Sequence, residues 1–263
     1  MGWLVMLNLI NKKLRLLKLG PLLGCALLAA TQPAHAFKLS PIVMDFAPSG
    51  REANQSFRVE NDSEQRVAIQ ISMLKRDMEL DGKEINSDGD NDFIVHPTQI
   101  LLEPKSTQTI RIKWIGERNS DKELAYRIVA EQLPVNLTKE KQTGAKIDIL
   151  VRYLGSVYIV PKGAKSEVVL DSISEQQANE TNQLIMVLHN RGSTHTVLRD
   201  LRFKFQAGGK TIELGPEELK GIAGENILAG KKRQFTLPRP VGLPNGAVKA
   251  TFEFKRRGTD LPK

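Results

Sequence analysis

Apolar side chains recur at every second position along most of this chain. In order, the alternating residues include Phe57 and Val59, then Val67, Ile69, Ile71 and Met73, then Ile110, Ile112 and Trp114, and then Tyr126, Ile128 and Ala130. A period of two predicts strands with one buried face, and no segment keeps a helical period for three turns. Polar, turn-rich stretches separate the runs at Met78–Asp92, Gly116–Glu123 and Asn136–Ala145. The sequence therefore predicts an all-β, antiparallel protein.

A Pro-Lys-Gly turn at residues 161–163 divides this pattern into two halves. Beyond it the apolar runs are Val168 and Leu170, Leu184–Leu188, Leu198–Phe205, Phe235–Leu237 and Val248–Phe254. An immunoglobulin-type sandwich takes roughly 100 residues, and 227 of the 263 residues follow position 36. We therefore predict two β-sandwich domains, residues 37–160 and 161–263.

The first 36 residues have the composition of a secretory signal peptide. Four basic residues precede a twelve-residue apolar stretch: Lys12, Lys13, Arg15 and Lys18, followed by Leu19–Ala30. The Ala34-His35-Ala36 segment then supplies the small residues that a signal peptidase recognises. Cleavage after Ala36 would make Phe37 the first residue of the mature protein. Met6 is an alternative start to Met1.

The single cysteine of the chain, Cys25, lies inside the apolar stretch of this signal. The preceding Leu22-Leu23-Gly24 allows a lipoprotein signal as an alternative, but the residues after Cys25 remain apolar where a lipidated protein turns polar. Removal of the signal leaves no thiol, which excludes disulfides, thiolate catalysis and cysteine metal sites from the mature chain.

The charge of the mature chain gives no reason to expect a nucleic-acid partner. The four basic residues of the signal supply half of the net charge of +8, so about +4 remains after cleavage. The chain also lacks the interleaved basic and aromatic residues that single-strand binders use.

A long apolar strand is predicted between Lys146 and Pro161, where the sequence reads KIDILVRYLGSVYIVP. Four apolar residues alternate along its leading half: Ile147, Ile149, Val151 and Tyr153. They are most simply explained as part of the protein's own core. A second interpretation is that the strand is donated to another protein. It is allowed by the polar loop that precedes these residues and by their position at the end of the first predicted domain.

Several segments, in their order and spacing, resemble the PapD-like family of periplasmic pilus-assembly chaperones. They are SPIVMDF, SFRVEN, FIVHPTQILLEPKSTQTIRIKW, AYRIVAEQLP and the strand ending at Tyr158–Pro161, followed by LHNRGSTHTVLRDLRFKF and LPRPVGLPNGAVKATFEF. The resemblance implies two immunoglobulin-like β-sandwich domains in an L-shaped arrangement. It covers the whole mature chain.

The function that this resemblance implies is donor-strand complementation in the periplasm. A chaperone of this kind folds and stabilises pilus or fimbrial subunits and delivers them to an outer-membrane usher, without nucleotide or any cofactor. The donated side chains would be Ile147, Ile149, Val151 and Tyr153. An exposed edge strand invites aggregation, so self-association of the free chaperone through this strand is also expected as one possibility.

One departure from the family concerns the basic pair that holds the subunit's terminal carboxylate. The positions that would carry an arginine and a lysine are Val43 and Ser156 here. Arg127 is the first candidate replacement, because the divergent archaic branch of the family carries a cleft arginine in a similar Tyr-Arg pair. Arg152, Arg111 and Lys113 are further candidates, and a solvated sheet face is the alternative for each.

The sequence offers no candidate catalytic residues and no convincing metal site. The mature histidines are His96, His189 and His195, and a turn separates the last two. Asp88, Asp90 and Asp92 resemble the start of a calcium loop, but Phe93 and Gln99 stand where glycine and glutamate are needed. Phosphate-binding and nucleophile-elbow motifs are absent. We expect no enzyme activity.

A second interpretation is a secreted structural or adhesive β-sandwich protein, such as a pilus component. A subunit would be expected to begin with an extended donor segment and to lack a second complete sandwich. The segment Phe37–Phe46 is too short for such a donor, so the sequence favours the chaperone.

Overall fold

The computed structural model describes residues 37–135, 149–178 and 181–256. These ranges contain 3₁₀ turns at Arg51–Ala53 and Asp90–Asp92 and the strands β1 (Phe37–Ser40), β2 (Val43–Phe46), β3 (Asn54–Asn61), β4 (Val67–Met78), β5 (Glu84–Asp88), β6 (Phe93–His96), β7 (Gln99–Leu102), β8 (Thr107–Trp114), β9 (Leu124–Gln132), β10 (Arg152–Ile159), β11 (Val168–Ala178), β12 (Thr181–Asn190), β13 (Thr196–Val197), β14 (Arg199–Ala207), β15 (Lys210–Leu214), β16 (Asn226–Ile227), β17 (Lys232–Pro238) and β18 (Lys249–Lys255). None of the described segments is a helix that is long and apolar enough to cross a membrane. The predicted signal peptide and the loop Asn136–Ala145 lie outside the described residues.

The first half of the fold is a sandwich of two sheets. One sheet has the strand order β1-β3-β8-β6, and the other has the order β2-β10-β9-β4-β5, with β7 also paired to β4. The alternating residues predicted from the sequence fill the space between them, since Phe57, Ile69, Ile110 and Ile128 are all buried. Every ladder of this sandwich is antiparallel except the parallel pair of β2 and β10. The prediction of an all-β fold is confirmed, with this one exception to the antiparallel pairing.

The second half has its own core and its own sheets. Strands β11, β12 and β17 form one sheet, β15, β14 and β18 form another, and β13 pairs with β16. Leu184, Leu188, Phe203 and Phe205 are fully buried between them. The prediction of two immunoglobulin-like sandwiches is thus confirmed by separate clusters of buried residues on either side of the Pro-Lys-Gly turn.

The stretch Met78–Asp92, which was predicted to be a polar connection, contains a strand. Strand β4 continues to Met78, and β5 folds back on it in a hairpin whose turn includes Gly82 at a φ of +91°. The prediction of a loop was wrong because β5 is an edge strand whose positions are mostly exposed, so its side chains carry no alternation of apolar and polar residues.

The predicted strand between Lys146 and Pro161 is shorter than expected in the part that the structure describes. Strand β10 begins at Arg152, and Ile149–Val151 lead into it without strand pairing. Lys146 and Ile147 lie outside the described ranges.

Each half contains a fully buried asparagine that closes a turn. In the first half, Asn61 donates to the carbonyls of Gln65 and Glu103 and accepts from the backbone and hydroxyl of Ser63. In the second, Asn190 has the corresponding role. It donates to the carbonyls of Thr194, Ile227 and Leu228 and accepts from the amides of Glu167 and Gly192. Removal of such a side chain lowers the free energy of unfolding strongly, because its hydrogen-bond partners are left buried and unpaired.

We expect Asn190→Ala to lower the free energy of unfolding by about 3 kcal/mol, because several buried backbone groups lose their hydrogen-bond partner at once. Urea unfolding monitored by circular dichroism measures this loss. The matched control is Asn86→Ala on the exposed face of β5, for which a change within about 0.5 kcal/mol is expected. Equal effects of the two substitutions would contradict the structural role of Asn190.

Candidate functional site

One edge of β10 is only half covered by neighbouring strands. On one side β9 pairs with it over its whole length, from Arg152 to Ile159. On the other side β2 pairs only with its second half, from Ser156 to Ile159. Among the described strands, none pairs with the second edge of residues 152–155. The backbone N–H and C=O groups of alternate residues in this segment, Arg152 and Leu154, point away from β9 and are therefore available to an added strand.

The predicted donor residues differ in how far they are committed to the protein's own core. The side chain of Ile149 is 70% exposed. Val151 and Tyr153 are partly buried against the core of the first half, and the Tyr153 ring packs edge-on against Phe37 with centroids 5.1 Å apart. Ile147 lies outside the described residues. Tyr153 therefore fits the interpretation that this run belongs to the protein's own core, whereas the exposed Ile149 fits the interpretation that the run is donated to another protein.

Arg127 lies on β9, the strand that pairs with the covered side of β10, and on the outer face of the same sheet. It is directly opposite Ser156 in the β9–β10 ladder, and Ser156 is in turn opposite Val43 of β2. The Nη1 of Arg127 donates a hydrogen bond to Ser156 Oγ. Its guanidinium thus reaches one of the two positions at which the family resemblance implies a basic residue, and it lies one strand away from the other.

The carboxylate of Glu84 binds Arg127 through both of its oxygens. Arg127 Nε donates to Oε2 at 3.1 Å, and Nη2 donates to Oε1. The same Oε1 accepts from Nη2 of Arg76 on β4. Partial burial opposes ionisation of Glu84, but hydrogen bonds and charge from Arg127 and Arg76 outweigh it, so the pKa of Glu84 lies below its ordinary value of 4.5.

Arg76 is a functional candidate that the sequence reasoning missed. Its side chain is only 6% exposed, its Nη1 donates to the Tyr158 hydroxyl at 3.0 Å, and its Nε is buried without a hydrogen-bond partner. Two guanidinium groups therefore surround one carboxylate, so the net charge of the three side chains is +1. The Nε of Arg76 remains as a donor without a partner. We call Arg76, Glu84, Arg127 and Ser156 the arginine cluster.

The arginine cluster adjoins a buried polar contact between the two halves. The Tyr158 hydroxyl also accepts from Asn226 Nδ2 at 3.0 Å, and its ring stacks on His195 with centroids 3.7 Å apart. His195 Nδ1 lies 2.8 Å from both carboxylate oxygens of Glu123. The side chains of His195 and Glu123 are both buried. The stacking of His195 on Tyr158 therefore holds the Tyr158 ring in place and, through its hydroxyl, orients Arg76.

The other basic candidates do not join the arginine cluster. Arg152 lies on an exposed position of β10 and pairs with Glu131 at 3.7 Å. Arg111 and Lys113 are exposed on β8, which belongs to the other sheet. Of the four predicted basic residues, only Arg127 is brought into contact with a second guanidinium through a shared carboxylate.

The residues considered for metal binding have structural partners. Asp90 accepts from the Met73 amide, and Asp92 accepts from the Tyr126 hydroxyl. His189 lies 3.9 Å from Asp171. In the part of the chain that the structure describes, no group of three or more histidine, cysteine, aspartate or glutamate side chains could hold a metal ion.

A comparison of the sequence with family models identifies one match. Residues 45–165 match the family of pili and flagellar-assembly chaperones, PapD N-terminal domain. This range includes β10 and all four residues of the arginine cluster. No curated protein sequence matches the chain.

Solved structures with a similar fold include three from fimbrial systems. A chain of a chaperone–tip adhesin complex of CFA/I fimbriae biogenesis has a TM-score of 0.53 at 18% identity, covering 83% of this chain and 98% of that chain. The class 5 fimbriae chaperone CfaA gives 0.52 at 16% identity, with coverage of 84% and 100%. A chain of the CsuC–CsuE chaperone–tip adhesion subunit complex from the archaic Csu pili of Acinetobacter baumannii gives 0.56 at 15%, with coverage of 83% and 97%. At these identities the likeness shows a shared fold.

The lowered pKa of Glu84 predicts a pH-dependent contribution to stability. A carboxylate with a depressed pKa in the folded state stabilises that state above its unfolded pKa of about 4.5 and loses the contribution as the pH falls through the folded value. We expect wild type to be more stable than Glu84→Gln at pH about 7 and the gap between them to narrow as the pH falls below about 4.5. Urea unfolding across this range measures the difference, and a gap that stays constant with pH would contradict the ion pairs.

Proposed function

We propose that this chain is a member of the family of pili and flagellar-assembly chaperones, whose N-terminal domain model its residues 45–165 match, and that it folds and stabilises pilus subunits by donor-strand complementation. The family match argues against the alternative of a structural or adhesive pilus component. The single observation that carries the mechanism is the half-covered edge of β10, which is preceded by the exposed side chain of Ile149.

Strand addition at this edge accounts for both affinity and specificity. The free N–H and C=O groups of Arg152 and Leu154 pair with the backbone of the subunit, and side chains at alternate positions enter its incomplete core. Ile149 begins exposed, so its transfer into an apolar groove contributes about 1.5–3 kcal/mol. Ile147, Val151 and Tyr153 remain proposed donor residues. Val151 and Tyr153 contact the chaperone's own core, and they either leave those contacts or keep them when the subunit binds.

The arginine cluster is the proposed binding site for the subunit's terminal carboxylate. Arg127 and Arg76 supply charge-assisted donors in a half-buried setting, where such bonds are strong. Ser156, which accepts a hydrogen bond from Arg127, is one residue beyond the open segment 152–155. A carboxylate held there would set the register of a strand added along that segment.

The setting of this activity follows from the same proposal. The signal-like segment 1–36 would direct the chain to the periplasm, where subunits are bound and then released to an outer-membrane usher. No nucleotide or cofactor is required, because release is by exchange of one strand for another. The replacement of the usual basic pair by Arg127 and Arg76 supports placement in the archaic branch. The open β10 edge makes self-association of the free chaperone a further proposal.

We expect Ile149→Asp to abolish stable binding of a co-expressed candidate subunit. Loss of about 1.5–3 kcal/mol of burial weakens binding by about 10- to 150-fold, before the cost of burying a carboxylate is added. Leu150→Asp is the matched control, because Leu150 is also exposed and alternates with Ile149, so that it would face the other side once the segment extends β10 as a strand. The measurement is the amount of one-to-one complex recovered by affinity purification and gel filtration. Equal loss with both variants would count against side-chain donation by Ile149.

Charge reversal in the arginine cluster is expected to disrupt capture of the subunit. Arg127→Glu and Arg76→Glu each remove a partly buried donor, a change that costs about 2–5 kcal/mol in comparable charge pairs. Arg58→Glu on the exposed face of β3 is the control for a simple change in net charge. The same co-purification measures the effect, with thermal unfolding as a check on folding. Full complex formation by a folded Arg127→Glu protein would overturn the assignment.

A further inference from the structure

We infer that Glu84 is an internal ligand that occupies the carboxylate site of the free protein and competes with the subunit for it. The inference rests on the proposed role of the arginine cluster and concerns how that site is regulated. Glu84 contacts Arg127 through the Nε and Nη2 pair, with one carboxylate oxygen on each nitrogen. This is the two-pronged geometry in which arginine binds any carboxylate. The site therefore already holds the chemical group that it is proposed to recognise.

The position of Glu84 makes its side chain exchangeable. It lies at the start of β5, an edge strand that pairs only with β4 among the described strands, and its side chain is 25% exposed. In contrast, Arg76 and Arg127 are held by hydrogen bonds to Tyr158 and Ser156. A competing carboxylate would therefore displace Glu84 and leave the two arginines in place.

The backbone of the β4–β5 hairpin is fixed more firmly than the Glu84 side chain. The Gln234 amide donates to the Leu80 carbonyl at 2.6 Å, and Lys231 forms an ion pair with Asp77 at 2.6 Å. A Cβ atom at Gly82 would lie only 1.9 Å from the guanidinium of Arg233. The hairpin tip is thus closely packed against the second half, so exchange takes place by rotation of the Glu84 side chain into solvent.

Such competition has a direct consequence for affinity. The apparent affinity of a ligand falls in proportion to the fraction of time that its site is free. A lone carboxylate, such as that of a small metabolite, would have to displace Glu84 without other contacts to compensate. A subunit adds strand pairing along β10, so it displaces Glu84 more readily than a lone carboxylate does. Glu84 thereby makes binding depend on strand addition.

The test uses sodium acetate as a carboxylate probe on the full mature chain, with sodium chloride at the same ionic strength as reference. NMR spectra of the arginine Nε–H groups report binding at each guanidinium, and the signals of Arg76 and Arg127 are assigned from Arg→Lys variants. We expect Glu84→Gln to bind acetate about fivefold or more tightly than wild type, the lower end of typical coupling between competing ligands. Glu79→Gln removes the same charge from an exposed side chain next to the turn of the same hairpin and should leave acetate binding unchanged.

The outcomes separate this inference from the function on which it rests. Tighter acetate binding in Glu84→Gln but not in Glu79→Gln supports competition. If acetate shifts the Arg127 signal equally in wild type and Glu84→Gln, or more weakly in the variant, the site is real but Glu84 does not compete, and the inference is overturned. If acetate shifts neither arginine in any variant, the carboxylate site itself is rejected and the inference fails with it. Thermal unfolding confirms that each variant is folded.

Discussion

The pairing of β10 is the constraint on which the other features of the first half depend. Its second half is held between β9 and β2, where Val157 and Ile159 are buried in the core. Among the described strands, its first half pairs with β9 alone. The reason is that the chain preceding β2 belongs to the opposite sheet, as β1, and crosses over at Ser40-Pro41. One strand therefore closes the protein's own sandwich and, at its other end, leaves an edge open.

The same register places the charged residues. Because Ser156 is opposite both Val43 and Arg127, the outer face of the sheet has a cation at the point where the open edge ends. Burial of Arg76 is tolerated because Glu84 and the Tyr158 hydroxyl accept its hydrogen bonds. Tyr158 is in turn held by Asn226 and His195 from the second half. The geometry of the proposed carboxylate site thus depends on both sandwiches.

Much of the fold could be predicted from local pattern. Alternation at Phe57, Ile69, Ile110 and Ile128 identified strands that are buried in the core, because a half-buried strand shows its two faces directly in the sequence. The edge strand β5 was missed since both of its faces are largely exposed, and period-two alternation needs one buried face. Of the basic candidates, Arg127 could be proposed from the family resemblance, while Arg76 stands in a polar run, KRDM, that gives no local sign of burial.

The sequence by itself determined an all-β chain of two sandwiches and the place of the long strand at the end of the first. With the family resemblance it also predicted that Val43 and Ser156 stand where basic residues are usual. Only the tertiary structure decided that Arg76, Glu84 and Arg127 meet, because their contact depends on the register of β4, β5 and β9. That register is set by long-range backbone pairing between residues up to 63 positions apart, as in the pair Ile69 and Gln132, about which the local periodicity of each strand carries no information.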